Sequence, residues 1–462
     1  MPKIIIREKD LTTNPIIDNT AFAVVIPGFF CSNKVDYPEY NDDPFATDSS
    51  GKPIIFDENG VFEVSSQLEF EQKIGKIPAI SFTVNDTVIP AHYGNQMAYE
   101  LLGLGYTILY VYLGTVQVDP TTRYVTGTES AKSGYLSLVS GDSKLFDELK
   151  DKANYRFRYL VTGLLEQNTQ ANQNILKIAA RNEDSTDELT NGRGDCIALI
   201  DIGDNIFNTA SSVAEAIQRI ALEANLYQAG GKYAGIFAPS LCLDISTSYE
   251  YMNNNKFPAS FYYLACAAYS RNYNNFAEWY AVAGLTRGVC KYDVISTALK
   301  LGESAVYKLE GRTPQDLGKL GNETVLSSTA INLIIKIRDS YYLWGNRTAH
   351  KLTSEDLKAS HFLNIRQLCC TIKKDVYDAC KRFTFDPNSD ILWVNFCNAI
   401  RPTLEKMKAD QGIQDYTIIK ADSRRAELKA LIRIVPIEAV EDFDITVTLE
   451  DSLGSTNVAV SE

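Results

Sequence analysis

Residues 196–238 read CIALIDIGDNIFNTASSVAEAIQRIALEANLYQAGGKYAGIFA, and this stretch decides the fold class of the chain. Cys196–Ile202 and Tyr233–Ala238 are short apolar runs of strand length. Ser211–Asn225 lies between them and repeats apolar residues at steps of three and four, as an amphipathic helix does. A strand, a helix and a second strand in this order predict a right-handed βαβ crossover and a parallel sheet.

The same alternation extends to both sides of this stretch. Tyr155–Val161 is a predicted strand, and Ala171–Arg181 and Pro258–Tyr269 are predicted helices. Nearer the N-terminus, Ala21–Ile26 is a predicted strand ended by Pro27-Gly28, and Tyr106–Leu113 is another strand. We therefore expect a mostly parallel sheet that helices cover on both faces.

Two N-terminal stretches interrupt the pattern. Residues 36–59 are acidic and rich in proline, and residues 115–140 are polar and rich in Thr, Ser and Gly. Both are predicted to be surface excursions. Between them, Ser65–Ile74 is a predicted helix. Ser66 stands three residues before Glu69, which is the spacing of a capping box at the start of a helix.

Beyond Gly311 the pattern changes to α+β. The predicted elements are a hairpin, two long helices and two more strands: Ile331–Ile337 with Tyr341–Trp344, Phe362–Phe383, Ile391–Met407, Tyr416–Ile419 and Leu428–Val435. Gly412 is the predicted C′ residue of the second long helix.

Both chain ends carry a short strand behind a polar or proline-bearing spacer. At the N-terminus Ile4, Ile5 and Ile6 form a β-branched run. The C-terminal strand alternates strictly, and its apolar positions are Phe443, Ile445, Val447 and Leu449. Such strands either return to the sheet of their own chain or add to a sheet of a neighbouring copy, with the spacers as hinges. We favour donation to a neighbouring copy.

Composition excludes several classes of protein. The chain has 462 residues, 45% of them hydrophobic and 22% charged, and a net charge of −13 at pH 7. These are globular values for a chain of two or three domains. The acidic balance argues against binding nucleic acid or an anionic membrane. No signal peptide or membrane-spanning run is predicted, and nine cysteines, an odd number, indicate a reducing compartment.

The candidate catalytic features are few. Asp201 and Asp204 lie at the carboxyl end of the predicted strand Cys196–Ile202 and could hold Mg²⁺ in a hydrolase, or could cap a turn. The sequence has no G-x-x-x-x-G-K-[ST] phosphate loop, and none of its three histidines accompanies a nucleophile motif. We predict no catalytic residue, no metal ligand and no cofactor.

Several motifs point to one family. Trp344-Gly345-Asn346-Arg347-Thr348 is similar to a W-G-x-R-T signature, and Phe383–Asn388 is similar to an aromatic-x-[FY]-[ED]-x-N turn before a helix. Trp279–Gly288 is similar to a W-x-x-x-A-G-x-x-R-G stretch. The chain resembles the tail sheath proteins of contractile phage tails and related contractile injection machines over nearly its whole length. Residues 36–59 and 115–140 match no pattern of that family.

The resemblance implies a multidomain α/β and α+β chain with extended terminal arms. The implied divisions are an N-terminal arm (1–20), an N-terminal α/β portion (21–141), an α/β core (142–310), a C-terminal sheath domain (311–436) and a C-terminal arm (437–462). The two arms would carry the inter-subunit strands.

The resemblance also implies a structural subunit, not an enzyme, of a virion tail assembled in the host cytoplasm. Subunits would form stacked hexameric rings around a tail tube and contract to drive it through the host envelope, without hydrolysing nucleotide. Expected partners are other copies, the tube protein, and baseplate and terminator proteins. By analogy Arg401, Lys406 and Lys408 are candidate tube contacts or a solvated helix face. The alternatives are a non-contractile tail, baseplate or terminator component, and a metal-dependent hydrolase that uses Asp201 and Asp204.

Overall fold

A computed structural model describes most of the chain. The described residues are 23–32, 52–75, 80–119, 125–140, 144–182, 191–245, 256–309, 329–351, 358–421, 428–437 and 439. Both predicted arm strands, and residues 36–51 of the first predicted excursion, lie outside these ranges.

The described residues form sixteen strands and twelve α-helices. The strands are β1 Val24–Cys31, β2 Val61–Val64, β3 Ile80–Val84, β4 Thr87–His92, β5 Ile108–Val118, β6 Val125–Gly127, β7 Tyr159–Leu160, β8 Ile197–Asp201, β9 Ala234–Ala238, β10 Leu241–Asp244, β11 Lys256–Phe257, β12 Asp293–Thr297, β13 Asn332–Ile337, β14 Ser340–Trp344, β15 Ile413–Ala421 and β16 Lys429–Pro436. The helices are α1 Gln67–Lys73, α2 Gly94–Gly103, α3 Glu129–Ser140, α4 Lys144–Asp147, α5 Thr169–Ala179, α6 Asp204–Asn208, α7 Val213–Ala224, α8 Ala259–Asn274, α9 Gly284–Arg287, α10 Glu303–Leu309, α11 Leu363–Phe383 and α12 Asp390–Ala409. Within the described part of the chain, no helix is both long and apolar enough to cross a membrane.

A central sheet organises the α/β body. Among the described residues it has nine strands in the order β14-β13-β9-β8-β7-β1-β5-β2, with β6 also paired to β5. Every pair from β13 to β5 is parallel, and β14, β2 and β6 join antiparallel at the ends. The predicted mostly parallel sheet is confirmed. It takes strands from all three of the predicted units between residues 21 and 436.

Helices bury both faces of this sheet, as the sequence predicts. Neighbouring residues Leu199 and Ile200 on β8 belong to opposite apolar clusters, because successive side chains of a strand point to opposite faces. One cluster includes side chains from α3, α5 and α7, and the other includes side chains from α1, α2 and α8. All nine cysteines lie within the described residues, none of them is in a disulfide, and five are buried.

The prediction that the first strand ends at Pro27-Gly28 is wrong. Strand β1 continues through both residues to Cys31, in parallel register with β5 up to Gly28 and with an irregularity directly after it. Gly28 permits this course, because a Cβ there would lie 2.2 Å from the hydroxyl oxygen of Tyr110. Backbone pairing with a long central strand therefore outweighs the local tendency of proline and glycine to form a turn.

The prediction that residues 115–140 form a surface excursion is also wrong. Strand β5 extends to Val118, and helix α3 covers the sheet with Ala131, Tyr135 and Leu138 buried. The helix lies directly on β5, since a Cβ at Gly134 would be 1.7 Å from the Leu113 carbonyl oxygen. A helix with a narrow apolar face and a polar outer face resembles a loop in composition.

The first predicted excursion also contacts the body in its described part. Phe56 is buried, and its ring packs against Tyr112 with centroids 4.9 Å apart. Residues 52–59 therefore help to cover the sheet next to β2.

Candidate assembly surfaces

The C-terminal elements α11, α12, β15 and β16 form a module with its own apolar core. Residues of both helices make this core, among them Leu368, Phe396 and Leu404. The β15–β16 hairpin closes it with Tyr416 and Ile434, which are opposite each other in the register. The two long helices and two strands that the sequence predicts are thus confirmed, and they fold onto one another.

The other face of the hairpin is exposed and carries both apolar and polar side chains. Ile419 pairs with Leu431 on this face, and these side chains are 36% and 44% exposed. Val435 on the same face is 50% exposed. Ile419 and Leu431 are therefore one exposed apolar pair, and the Thr417–Arg433 pair separates it from Val435.

The hairpin also has two open edges. Within the described residues, β15 and β16 pair with each other and with no third strand. An isolated two-stranded hairpin is marginally stable in water, and an open edge is a template for another strand. Each outer edge of the hairpin is therefore a candidate site for an added strand.

The chain leaves the module close to the end of helix α12. The backbone N–H of Ile437 donates to the Gly412 carbonyl oxygen at 3.2 Å, directly after β16.

The prediction that Gly412 is the C′ residue is wrong, because Gln411 takes the left-handed conformation there, with φ of 59°. Gly412 is required for close packing instead, since a Cβ would lie 2.8 Å from the Trp279 ring nitrogen.

Trp279 joins the α/β body to the module. Its Nε1 donates to the Asp410 carbonyl oxygen at 3.0 Å, and its own carbonyl oxygen accepts from Asn364 Nδ2 at 3.0 Å. The loop after α8 thereby contacts both long helices of the module.

A buried ion pair forms a second link between body and module. Arg158 is 1% exposed, and its Nη1 donates to Glu278 Oε2 at 2.6 Å. Thr371 on α11 accepts from Arg158 Nη2 at 2.8 Å and donates to Glu278 Oε1 at 2.7 Å. Burial opposes ionisation of Glu278, but the Arg158 charge and these hydrogen bonds outweigh it and lower the pKa of Glu278.

A third link joins helix α11 to the buried Arg193–Asp195 ion pair. Arg193 forms a two-point contact with Asp195, with Nε–Oδ1 at 2.9 Å and Nη2–Oδ2 at 3.1 Å. The Lys374 ammonium on α11 is buried and donates to the Asp195 carbonyl oxygen. Sequence reasoning missed both links, because no local pattern marks charges that meet from distant parts of the chain.

The three cations predicted as tube contacts all lie on α12, and all are exposed. Arg401 and Lys408 share one side of the helix, seven residues apart, while Lys406 lies about 140° around the axis from Arg401. Lys408 Nζ forms an ion pair with Asp415 at 3.0 Å. The structure therefore brings two of the three onto one helix face and separates the third.

The turn between α11 and α12 carries another exposed apolar group. Phe385 is fully exposed and has φ of 75°, a conformation that non-glycine residues seldom adopt. Ile391 and Val394 on the first turns of α12 are also exposed. The motif at residues 383–388 indicates a turn, but local sequence does not indicate that its aromatic residue is exposed.

Comparison with known proteins agrees with this architecture. No family model and no curated protein sequence matches the chain. A chain of the anti-feeding prophage baseplate, solved by cryo-electron microscopy with six-fold symmetry, is 13% identical with a TM-score of 0.54, over 97% of this chain and 99% of that one. A chain of the contracted sheath complex of PVC, an extracellular contractile injection system, is also 13% identical with a TM-score of 0.54, over 98% of both.

The chain has the fold of a contractile-injection-system sheath protein. The sheath fold confirms the mixed α/β architecture that the resemblance implies, and it spans the body and the module alike. The arm strands at residues 4–6 and 443–449 lie outside the described residues, so their pairing stays a prediction.

Within the sheath fold, Asp201 and Asp204 contact different partners in their own chain. Asp201 accepts from the backbone N–H of Ser260 at 2.7 Å and from its hydroxyl at 2.5 Å, at the start of α8. Burial raises the pKa of Asp201 to about 7, although the Ser260 hydrogen bonds act in the opposite direction. Asp204 accepts from the Ser240 hydroxyl and forms an ion pair with Lys256 at 3.5 Å. In the described part of the chain, no three His, Cys, Asp or Glu side chains are grouped to hold a metal ion.

Proposed function

We propose that this protein is the structural subunit of a contractile sheath. It polymerises as stacked hexameric rings around a tail tube and contracts to drive the tube through a host envelope. The support is the sheath fold over nearly the whole chain, shared with a contracted sheath complex. The particle is a virion tail or a related injection machine, assembled in the host cytoplasm.

One observation carries the proposal: among the described residues, neither outer edge of the β15–β16 hairpin pairs with a third strand. Residues 4–6 of one neighbouring copy and residues 443–449 of another would add one strand to each edge. Main-chain hydrogen bonds would then link subunits and would pair the backbone N–H and C=O groups of both edges. The spacers behind both strands would act as hinges that keep subunits connected during contraction.

The energy of contraction would be stored in the lattice at assembly, with no nucleotide consumed. The sequence contains no phosphate-binding loop, and Asp201 caps helix α8 with hydrogen bonds from Ser260. We therefore assign the protein no catalytic role. Arg401, Lys406 and Lys408 remain proposed contacts to an acidic tube surface, Arg401 and Lys408 from one face of α12.

Electron microscopy of the purified full chain tests the assembly. Helical tubes or long stacks of rings support the contractile sheath. A single ring would favour the second candidate, a baseplate or terminator component, which the likeness to a baseplate chain makes reasonable. A strictly monomeric protein at high concentration would contradict both candidates.

A pair of matched variants tests strand donation. Ile445→Asp with Val447→Asp places two charges on the apolar side of the C-terminal strand, and we expect tubes to be lost while the monomer stays folded. Thr446→Asp with Thr448→Asp adds the same charge on the side that already holds Asp444, and tubes should persist. Intact tubes from the first variant, or from a chain lacking residues 443–462, would disprove donation by this strand.

A further inference from the structure

A small cavity lies where the body meets helix α11. Its volume is about 20 Å³, which is room for one water molecule or one ion of similar size. Side chains of α8, α9, α11 and the loop between α8 and α9 line it, among them Ser270, Arg287 and Gln367. The same loop carries Glu278 and Trp279, so an occupant of the cavity contacts the segment that links the body to the module.

The hydroxyl of Ser270 is buried at this cavity. Ser270 is 4% exposed, and its Oγ has no hydrogen-bond partner among the described residues. A buried hydroxyl without a hydrogen bond loses its solvation with no compensation. Such groups are rare in native proteins, and a bound water or ion is one of the few explanations for them.

Arg287 supplies a cation that no carboxylate compensates among the described residues. Its Nε donates to the Ala281 carbonyl oxygen at 2.7 Å, and its guanidinium lies 5.1 and 5.5 Å from the ring centroids of Phe276 and Tyr280. This is the one hydrogen bond of the Arg287 side chain among the described residues, so its two terminal nitrogens can donate to a ligand. Burial lowers the pKa of Arg287, Tyr280 raises it, and no carboxylate contributes. A guanidinium nevertheless stays protonated at physiological pH.

The other charged side chains among the described residues that line the cavity are Arg158, Arg271 and Glu278. Glu278 does not compensate Arg287, because its Oε2 accepts from Arg158 and its Oε1 accepts from Thr371. With Arg158 matched to Glu278, the cavity keeps the charge of Arg287. A positive charge next to a buried hydroxyl suits an anion, since both groups can donate hydrogen bonds to it.

We propose that this cavity binds a single halide ion, which is chloride under physiological conditions. The Ser270 hydroxyl and the terminal nitrogens of Arg287 would donate to the ion, which pairs the hydroxyl and compensates the guanidinium. Sulfate and phosphate carry four oxygens around a central atom and need more room than about 20 Å³. The ion would hold the loop that carries Glu278 and Trp279 against α8. Chloride would therefore stabilise the contact between body and module, in the single chain as well as in a polymer.

Thermal unfolding of the full chain tests the site, with chloride replacing gluconate at constant ionic strength. A ligand that binds only the folded state raises the midpoint, and we expect a saturable rise of about 2 °C at ten times the dissociation constant. Bromide should act as chloride does. Ser270→Ala and Arg287→Gln should each lose most of this rise. Ser133→Ala and Arg219→Gln, matched controls on α3 and α7 outside the cavity, should keep it.

Ser270→Ala separates ion binding from a merely structural role. The substitution removes a hydroxyl that has no partner in the chain, so in gluconate the variant should be at least as stable as the wild type. In chloride the variant should be the less stable of the two. This change of sign between two salts of equal ionic strength needs a bound anion, and it cancels any general effect of the salts on folding.

Anomalous diffraction from crystals of the full chain in bromide gives an independent measurement, and we expect a peak between Ser270 Oγ and the Arg287 guanidinium. Equal chloride dependence of the wild type and Ser270→Ala would overturn the proposal. A wild-type midpoint that does not respond to chloride would show a water-filled cavity and would also overturn it. So would a saturable effect of sulfate as large as that of chloride. Each of these results leaves the sheath assignment intact, because the site needs no neighbouring copy.

Discussion

Replacing Glu278 with alanine should loosen the C-terminal module from the body. The substitution leaves the Arg158 guanidinium, 1% exposed, without the carboxylate that lies 2.6 Å from it. Removing one partner of a buried ion pair costs about 3–5 kcal/mol, because the remaining charge stays desolvated. The Glu278 side chain is 14% exposed, so we expect the free energy of unfolding to fall by an amount near the lower end of this range, about 3 kcal/mol.

Urea unfolding followed by tryptophan fluorescence measures this loss. Trp279 and Trp393 report on the module, since the first contacts Asp410 and the second packs against its core. Replacing both charges, Arg158→Met with Glu278→Leu, removes the buried cation together with its carboxylate and should recover much of the stability. Lys420→Ala removes an exposed ion pair with Asp390 and should change little.

Two results would refute this reasoning. One is a Glu278→Ala loss below about 1 kcal/mol, which would mean that water or another residue compensates Arg158. The other is a double variant whose loss equals the sum of the single losses, because an intact pair requires coupling between its members.

Two further predictions follow from buried contacts. Gly412→Ala should lower the free energy of unfolding by about 1–3 kcal/mol, because the added Cβ would displace the Trp279 indole from the Asp410 carbonyl. A shift in tryptophan emission would report this displacement. Unchanged emission and stability would contradict the close packing. Asp201→Asn should gain stability relative to wild type as pH rises from 4 to 7. Burial raises the pKa of Asp201 in the folded protein to about 7, so the wild-type protein becomes less stable as this carboxyl ionises over that pH range. The amide of the variant does not ionise, so the variant does not lose stability in this way. Parallel unfolding curves at pH 4.5 and 7.5 check the sign, and a difference that does not vary with pH would contradict it.

Local patterns predicted the elements whose neighbours in space are also neighbours in sequence. The helix that became α7 has its apolar residues on one face, and its cap is local, because Ser212 accepts from the Glu215 backbone N–H. The β13–β14 hairpin closes within a few residues. Such elements need little information from the rest of the chain.

Local patterns failed where distant partners decide the conformation. Strand β1 passes through Pro27 and Gly28 because β5 pairs with it, and α3 is a helix because Gly134 lets it lie on Leu113. In both places the residues taken alone favour a turn or a loop. Packing against the sheet contributes more free energy than those local tendencies do.

The sequence by itself determined the βαβ alternation, the two long C-terminal helices and the resemblance to sheath proteins, because each depends on periodicity or on motifs within a few residues. Only the tertiary structure decided which charges meet. Arg158 stands directly before β7, Glu278 lies in the loop after α8, and Thr371 lies on α11. Coulomb interactions depend on distance in space, which folding sets independently of distance along the chain.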